Sequence, residues 1–244
     1  MNFKLGRKAV KKDSRTLKIS KYLTPSLPAA PSSVDYTKGI TDFGVMLNNT
    51  LGNCTIAGCG HAVQIWTANA YHMITVPDAA ILSAYEQWDG YNPSDPSTDQ
   101  GGIENDVLLS WKNNGLNGHH ILGYADPDVK NIAEIKQSIF LAGGAYIGME
   151  VPAYIMQNIP AIWDLPTANQ DATIEGGHCV FVCGYDENTF TFISWGKVYK
   201  MTIAYWNKFV DEAHAVLGCG WINANKTPSG FDLDQMTADL ALIK

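Results

Sequence analysis

Apolar residues recur at three- and four-residue steps through Ile56, Cys59, Val63, Trp66 and Ala70, the spacing of one buried helix face. Positions between them include Ala57, Gly58, Gly60, Ala62 and Ala68, so this helix is expected to be enclosed on most sides. Asn53 stands where an N-cap belongs. A second helix is predicted over 77–88 and a third over 104–113, stopped by Gly115. Residues 92–102 between them are turn-rich. The period then changes. Residues 130–141 read as a helix and 145–151 as a strand; 178–185 alternate into β structure, 186–188 turn, and 189–195 return as a partner strand. Helices followed by a sheet predict an α+β chain with two segregated lobes. The Pro- and Ser-rich stretch 23–33 reads as an extended linker. Residues 1–30 are therefore expected to form an arm and linker, 31–125 a mainly helical lobe, and 126–244 a mainly β lobe.

The chain has 244 residues, 46% hydrophobic and 17% charged, which excludes a disordered chain. No apolar run approaches the about 18 residues of a membrane span. The basic start lacks the apolar core of an export signal, so a cytoplasmic location is expected, with association with a virion or host cell as an alternative. Charge is uneven: residues 1–22 carry eight Lys/Arg against Asp13, whereas the whole chain has a net charge of −7. Such an arm reads first as a solvated terminus, and otherwise as a dock for its own acidic body or an acidic partner. Nucleic acid is disfavoured as the main ligand, because phosphate binding needs a basic body.

Five cysteines, an odd number with no export signal, read as free thiols. Cys54 differs from the rest. It follows Gly52-Asn53 at a helix start, where unpaired N–H groups and the dipole favour a thiolate. Cys59, Cys179 and Cys219 read as small core residues. A thiolate nucleophile needs a base. His61 lies about 10 Å along the helix from Cys54, too far to serve. His72 sits near the helix end, His119 and His120 in a loop, and His214 in an expected helix beside Asp211 and Glu212. His178 remains: it follows Gly176-Gly177 and opens an apolar strand. The cysteine and histidine spacings match no zinc pattern, and no cofactor motif is present, so neither metal nor cofactor is expected.

Taken together, these segments resemble the papain family of cysteine proteases over nearly all of residues 31–244. Pro31-Ser-Ser-Val34-Asp35-Tyr36 is similar to that family's mature N-terminus, and Gly52-Asn53-Cys54 to its nucleophile segment. Gln100-Gly101-Gly102 resembles its substrate-pairing glycines. The run Gly177-His178-Cys-Val-Phe-Val-Cys-Gly184-Tyr185, closed by Ser194-Trp195-Gly196, resembles its base-bearing strand and hairpin. The resemblance implies a two-lobe fold, helical first and antiparallel β-sheet or barrel second. It implies Cys54 as nucleophile, His178 as base and Asn48 as oxyanion donor. Gly101, Gly102 and Gly177 would face substrate backbone, and Trp195 would shield the base. Three positions depart from the family. Leu51 and Thr55 replace its Cys and Trp around the nucleophile. Its base-orienting Asn falls on Ile193 when aligned by Ser-Trp-Gly, but on Ser194 when counted from His178. The implied activity is hydrolysis of a peptide or isopeptide-type bond in a peptide or protein substrate. Alternatives are a Cys-His deamidase or transglutaminase-like enzyme, and a catalytically decayed binding module of a larger assembly such as a virion. The family's long pro-region is missing, with the basic arm in its place.

Overall fold

The computed structural model describes residues 3–13, 16–21, 28–222, 227 and 229. Linker residues 23–27 and most of the predicted body beyond 222 lie outside the described residues. The helical lobe holds α1 (Cys54–Ala70), α2 (Asp78–Asp89) and α3 (Glu104–Asn114). The strands in chain order are β1 (Leu17–Lys18), β2 (Val34–Asp35), β3 (Ile121–Asp126), β4 (Ala145–Pro152), β5 (Ile162–Trp163), β6 (Ile174–Tyr185), β7 (Thr189–Ser194), β8 (Lys197–Thr202) and β9 (Val210–Gly218). Helices α4 (Ile132–Ala142), α5 (Ala153–Asn158) and α6 (Ile203–Phe209) are interleaved with them. One sheet runs in the order β1-β3-β9-β4-β6-β7-β8-β5, with β2 paired to β6. It is antiparallel except at its outer pairs, β1 with β3 and β5 with β8.

Two hydrophobic cores lie on either side of this sheet. The first joins α1 to Tyr85, Val107, Trp111, Phe181 and Ile193; the second gathers Ile139, Ile147, Val180, Phe192 and Trp206. Helix α1 is buried from Cys54 to Thr67, as its small residues predict. A Cβ on Gly58 would sit 3.1 Å from the Tyr146 ring, so glycine there sets how closely the helix approaches β4. Trp66 stacks on Trp111 with ring centroids 5.5 Å apart and donates through Nε1 to the Ala142 carbonyl at 2.8 Å. That one side chain fills the seam between the lobes and leaves no buried donor unpaired.

Several expectations are corrected. His214 lies on β9, not in a helix: Ala213, Ala215 and Val216 bury both faces of that segment, as in a covered central strand. Cys219 is exposed, because the chain leaves the sheet there in a single helical turn. Asn53 precedes α1 without capping it; its amide donates instead to the Met46 carbonyl at 2.9 Å, closing the preceding loop. The described arm residues, 3–13 and 16–21, do not form a free solvated terminus. They lie on the body, as follows.

Candidate active site

Cys54 opens α1 and is buried, 1% exposed. The backbone N–H groups of Cys179 and Gly6 both face its sulfur. Cys179 follows His178 on β6, so the sulfur lies against the segment that carries the histidine. Burial pushes the Cys54 thiol up to about 12, and those two N–H groups oppose the shift without overcoming it.

His178 is buried, and burial pushes its pKa down to about 3. Its Nε2 lies 2.7 Å from Ser194 Oγ, while Nδ1 is buried with no hydrogen-bond partner. This settles the two registers left by the sequence. In the β6–β7 hairpin Val182 pairs with Phe192 and Gly184 with Thr191, so a bulge absorbs one residue. Ile193 then packs into the core on the α1 side, and Ser194 meets the imidazole. Trp195 and Gly196 form the two-residue turn to β8, with φ of 49° and 75°. Positive φ at a tryptophan is costly, of order 1–3 kcal/mol, and here it lays the indole on the His178 ring, centroids 4.6 Å apart. Ser194→Ala would leave Nε2 facing an apolar wall. An unsatisfied buried group costs about 1–3 kcal/mol, so ring misplacement is expected to lower kcat about tenfold to a hundredfold. Steady-state kinetics, with a far-UV spectrum showing that the variant is folded, checks this; wild-type kcat would rule out an orienting role.

Asn48 is buried, and its Nδ2 donates to the Leu51 carbonyl at 3.0 Å, within the loop that ends at Cys54. Asp99 braces that loop against the glycine segment. It accepts from Gly52 N–H at 2.8 Å and from Tyr85 O–H at 2.8 Å, while Tyr85 oxygen accepts from Gly101 N–H at 2.9 Å. Thr55, at the departed Trp position, donates to Asp89 at 3.1 Å. The Asp89 carboxylate sits where a Cβ on Gly102 would be, so any side chain at position 102 would have to displace it.

All three glycines expected to face substrate face the N-terminal arm instead. Gly102 N–H donates to the Gly6 carbonyl at 2.9 Å, and its carbonyl accepts from Lys8 N–H at 2.8 Å. Gly177 carbonyl accepts from Arg7 N–H at 3.0 Å. A Cβ on Gly101, where φ is 73°, would collide with the Gly6 carbonyl. Phe3 stacks on Trp195 with centroids 4.8 Å apart, so phenylalanine, indole and imidazole form one pile. Beyond the cleft, Lys11 pairs with Asp106 at 2.8 Å, and β1 extends the sheet. Lys4, Arg7, Lys11 and Lys18 of the arm each pair with an acid of the same chain.

Arg7 carries the largest part of this contact and was missed from sequence. Its guanidinium lies 2.8 Å from both Asp211 and Glu212, and its Nε 3.0 Å from Glu104. His214 lies beneath, 2.7 Å from Asp126 and 3.2 Å from Glu212. Burial opposes the charge on His214, but these carboxylates outweigh it and raise its pKa to about 9. Burial and the neighbouring Glu212 raise Glu104, with Arg7 opposing. Glu104, Glu212 and His214 bring donor atoms within 4.8 Å of one another, a set able to hold a divalent ion; in this arrangement Arg7 supplies the positive charge.

No protein-family model matches the sequence, and no curated protein sequence does. Solved structures do match. Xylellain, a cysteine protease from Xylella fastidiosa, aligns with a TM-score of 0.69 at 16% identity, over 88% of this chain and 96% of that one. A procathepsin B from Trypanosoma congolense gives 0.60 at 11% identity, over 88% and 86%. The Carica candamarcensis cysteine protease CMS1MS2, solved with E-64, gives 0.56 at 15% identity, over 77% and 98%. The fold is that of the papain-like cysteine proteases, with its two lobes. Among the described residues no helix is long and apolar enough to cross a membrane.

Proposed function

We propose that this chain is a papain-like cysteine hydrolase of peptide or isopeptide bonds, held latent by its own arm. The observation that carries the reading is the state of His178: one ring nitrogen is held by Ser194, and the other is buried and unclaimed, beside the segment that meets the Cys54 sulfur. A base must be oriented at one nitrogen and free at the other. With the arm displaced, water returns to both groups, lowering the Cys54 pKa and raising that of His178 until a thiolate–imidazolium pair forms. The sulfur attacks the substrate carbonyl carbon, and His178 passes the thiol proton to the departing amine as the C–N bond breaks. Water, deprotonated by His178, then cleaves the thioester. The Cys54 N–H and Asn48 Nδ2 stabilise the oxyanion, the latter after exchanging its bond to Leu51. Asn48→Ala is therefore expected to slow single-turnover acylation of Cys54 by on the order of 10²–10³. Intact-mass detection of the acyl adduct measures it. An unchanged rate would remove Asn48 from the mechanism, and no adduct with any peptide substrate would overturn the reading.

The docked arm is not cleaved in this reading, because it presents an amide N–H to the sulfur, not a carbonyl carbon. Its direction agrees: Arg7 bridges Gly102 in parallel and Gly177 antiparallel. Docking is expected to weaken in acid. Although burial opposes it, hydrogen bonds from His214 and Arg7 hold Glu212 below its ordinary range. Lys4 and Tyr85 do the same for Asp99. The share of each depression that comes from the arm residues Arg7 and Lys4 supports docking above the released-state carboxylate range, and that support is lost as pH falls through the docked values. Glu104 works the other way at higher pH: burial raises it while docked, so proton uptake favours docking until the ordinary carboxylate range is reached. Cys54 alkylation, normalised to thiolate fraction, should rise as pH falls through and below the ordinary carboxylate range; a flat profile would contradict this.

A further inference from the structure

The pocket that receives Arg7 is built for a guanidinium, and it lies beside the cleft. Its wall on β4 is Gly148, where a Cβ would collide with both the Arg7 guanidinium and the Glu104 carboxylate. Gly148 pairs with Cys179 on one side and Glu212 on the other, so its missing side chain makes the opening. Glu104 projects into it from the first residue of α3; it is 1% exposed, and neither oxygen makes a hydrogen bond, although Arg7 Nε lies 3.0 Å away. Glu212 and Asp211 close the far side. Adjoining them is a cavity of about 690 Å³ lined by Asp126, Asp211, Glu212 and His214 and by arm residues Val10, Lys12 and Lys18, so the arm forms part of its wall.

The bond count from sulfur to pocket fixes which substrate residue enters. Gly6 N faces the sulfur, and the path to the Arg7 Cα is N, Cα, C, N, Cα. A substrate running the opposite way places its scissile carbonyl carbon at the sulfur. The same four bonds then lead through that residue's Cα and N and the preceding carbonyl carbon to the preceding Cα. The pocket thus faces the second residue on the acyl side of the scissile bond.

We propose that, with the arm displaced, the pocket of Glu104, Asp211, Glu212 and Gly148 binds the guanidinium of a substrate arginine at that second position, making the chain selective for such peptides. Arginine suits it better than lysine, because a planar fork meets carboxylates on three sides at once. The inference rests on Cys54 as the acylating nucleophile, and the test separates the two. Full-length Arg7→Ala, with Arg7→Gln as a second arm-displacing variant should the first fail to fold, is given two fluorogenic peptides. They differ only in arginine or its neutral isostere citrulline at the second position. Turnover is measured with Cys54 intact, and binding by anisotropy in the same chain carrying Cys54→Ala. Arginine should be preferred by on the order of 10²-fold in both kcat/KM and Kd, with the preference falling about tenfold in Glu212→Gln. Equal turnover and equal binding overturn the pocket but leave the hydrolase standing. Tighter arginine binding with no turnover supports the pocket and overturns the hydrolase.

Discussion

Arg7→Ala in the full chain is expected to speed alkylation of Cys54 by on the order of 10²–10³. Removing one partner of a buried ion pair costs about 3–5 kcal/mol when the other is left uncompensated. Here that loss falls on the docked state alone, because released carboxylates regain water. With each 1.4 kcal/mol worth tenfold in an equilibrium constant, the open population rises by about two to three decades. Lys11→Ala is the contrast: Lys11 and Asp106 are both exposed, and such pairs contribute about 0–1 kcal/mol, so labelling should rise less than about fivefold. The ratio of second-order alkylation rates in the two variants is the measurement. Equal rates in wild type and Arg7→Ala would mean that the arm does not guard the thiol.

His178→Ala, made in the Arg7→Ala chain so that the cleft is open, is expected to lower kcat/KM by about 10²–10⁴, the range for a positioned general base. The pH dependence of labelling should move with it. Without an imidazolium partner the thiolate loses its stabilisation, so reactivity should appear only near an ordinary thiol pKa of about 8.5. Ser194→Ala should leave a weaker version of the same shift, because the ring remains but is no longer held. An unchanged pH profile in His178→Ala would show that no ion pair forms.

Most of the scaffold was legible because its signals are local and repeated. The α1 stripe, Gly115 after α3, and the apolar run of β6, buried throughout from His178 to Tyr185 and not alternating as expected, each follow from a short run of sequence. The pairing of Cys54 and His178 segments, distant in sequence, was legible only by resemblance and by elimination among the histidines. Ser194 against Ile193 hung on a single bulged residue, which moves a strand's side chains to opposite faces. His214 was misplaced because acidic neighbours on a covered strand look like a solvated helix face. Arg7 was invisible as an individual: eight cations left docking on the acidic body only as the alternative to a solvated terminus, and which of them enters the body depends on Gly148 and Glu104, contributed by elements remote in sequence. Cys219 read as core from residue type alone, and its exposure reflects where the sheet ends.

The most direct test is the distribution of label among the five thiols of full-length Arg7→Ala after brief exposure to a small alkylating probe near neutral pH, read by peptide mapping. One adduct, on Cys54, lost when His178 is also changed to alanine, is the predicted result. Slow, equal modification of all five, or an adduct confined to the exposed Cys219, would contradict a nucleophile masked by its own N-terminus.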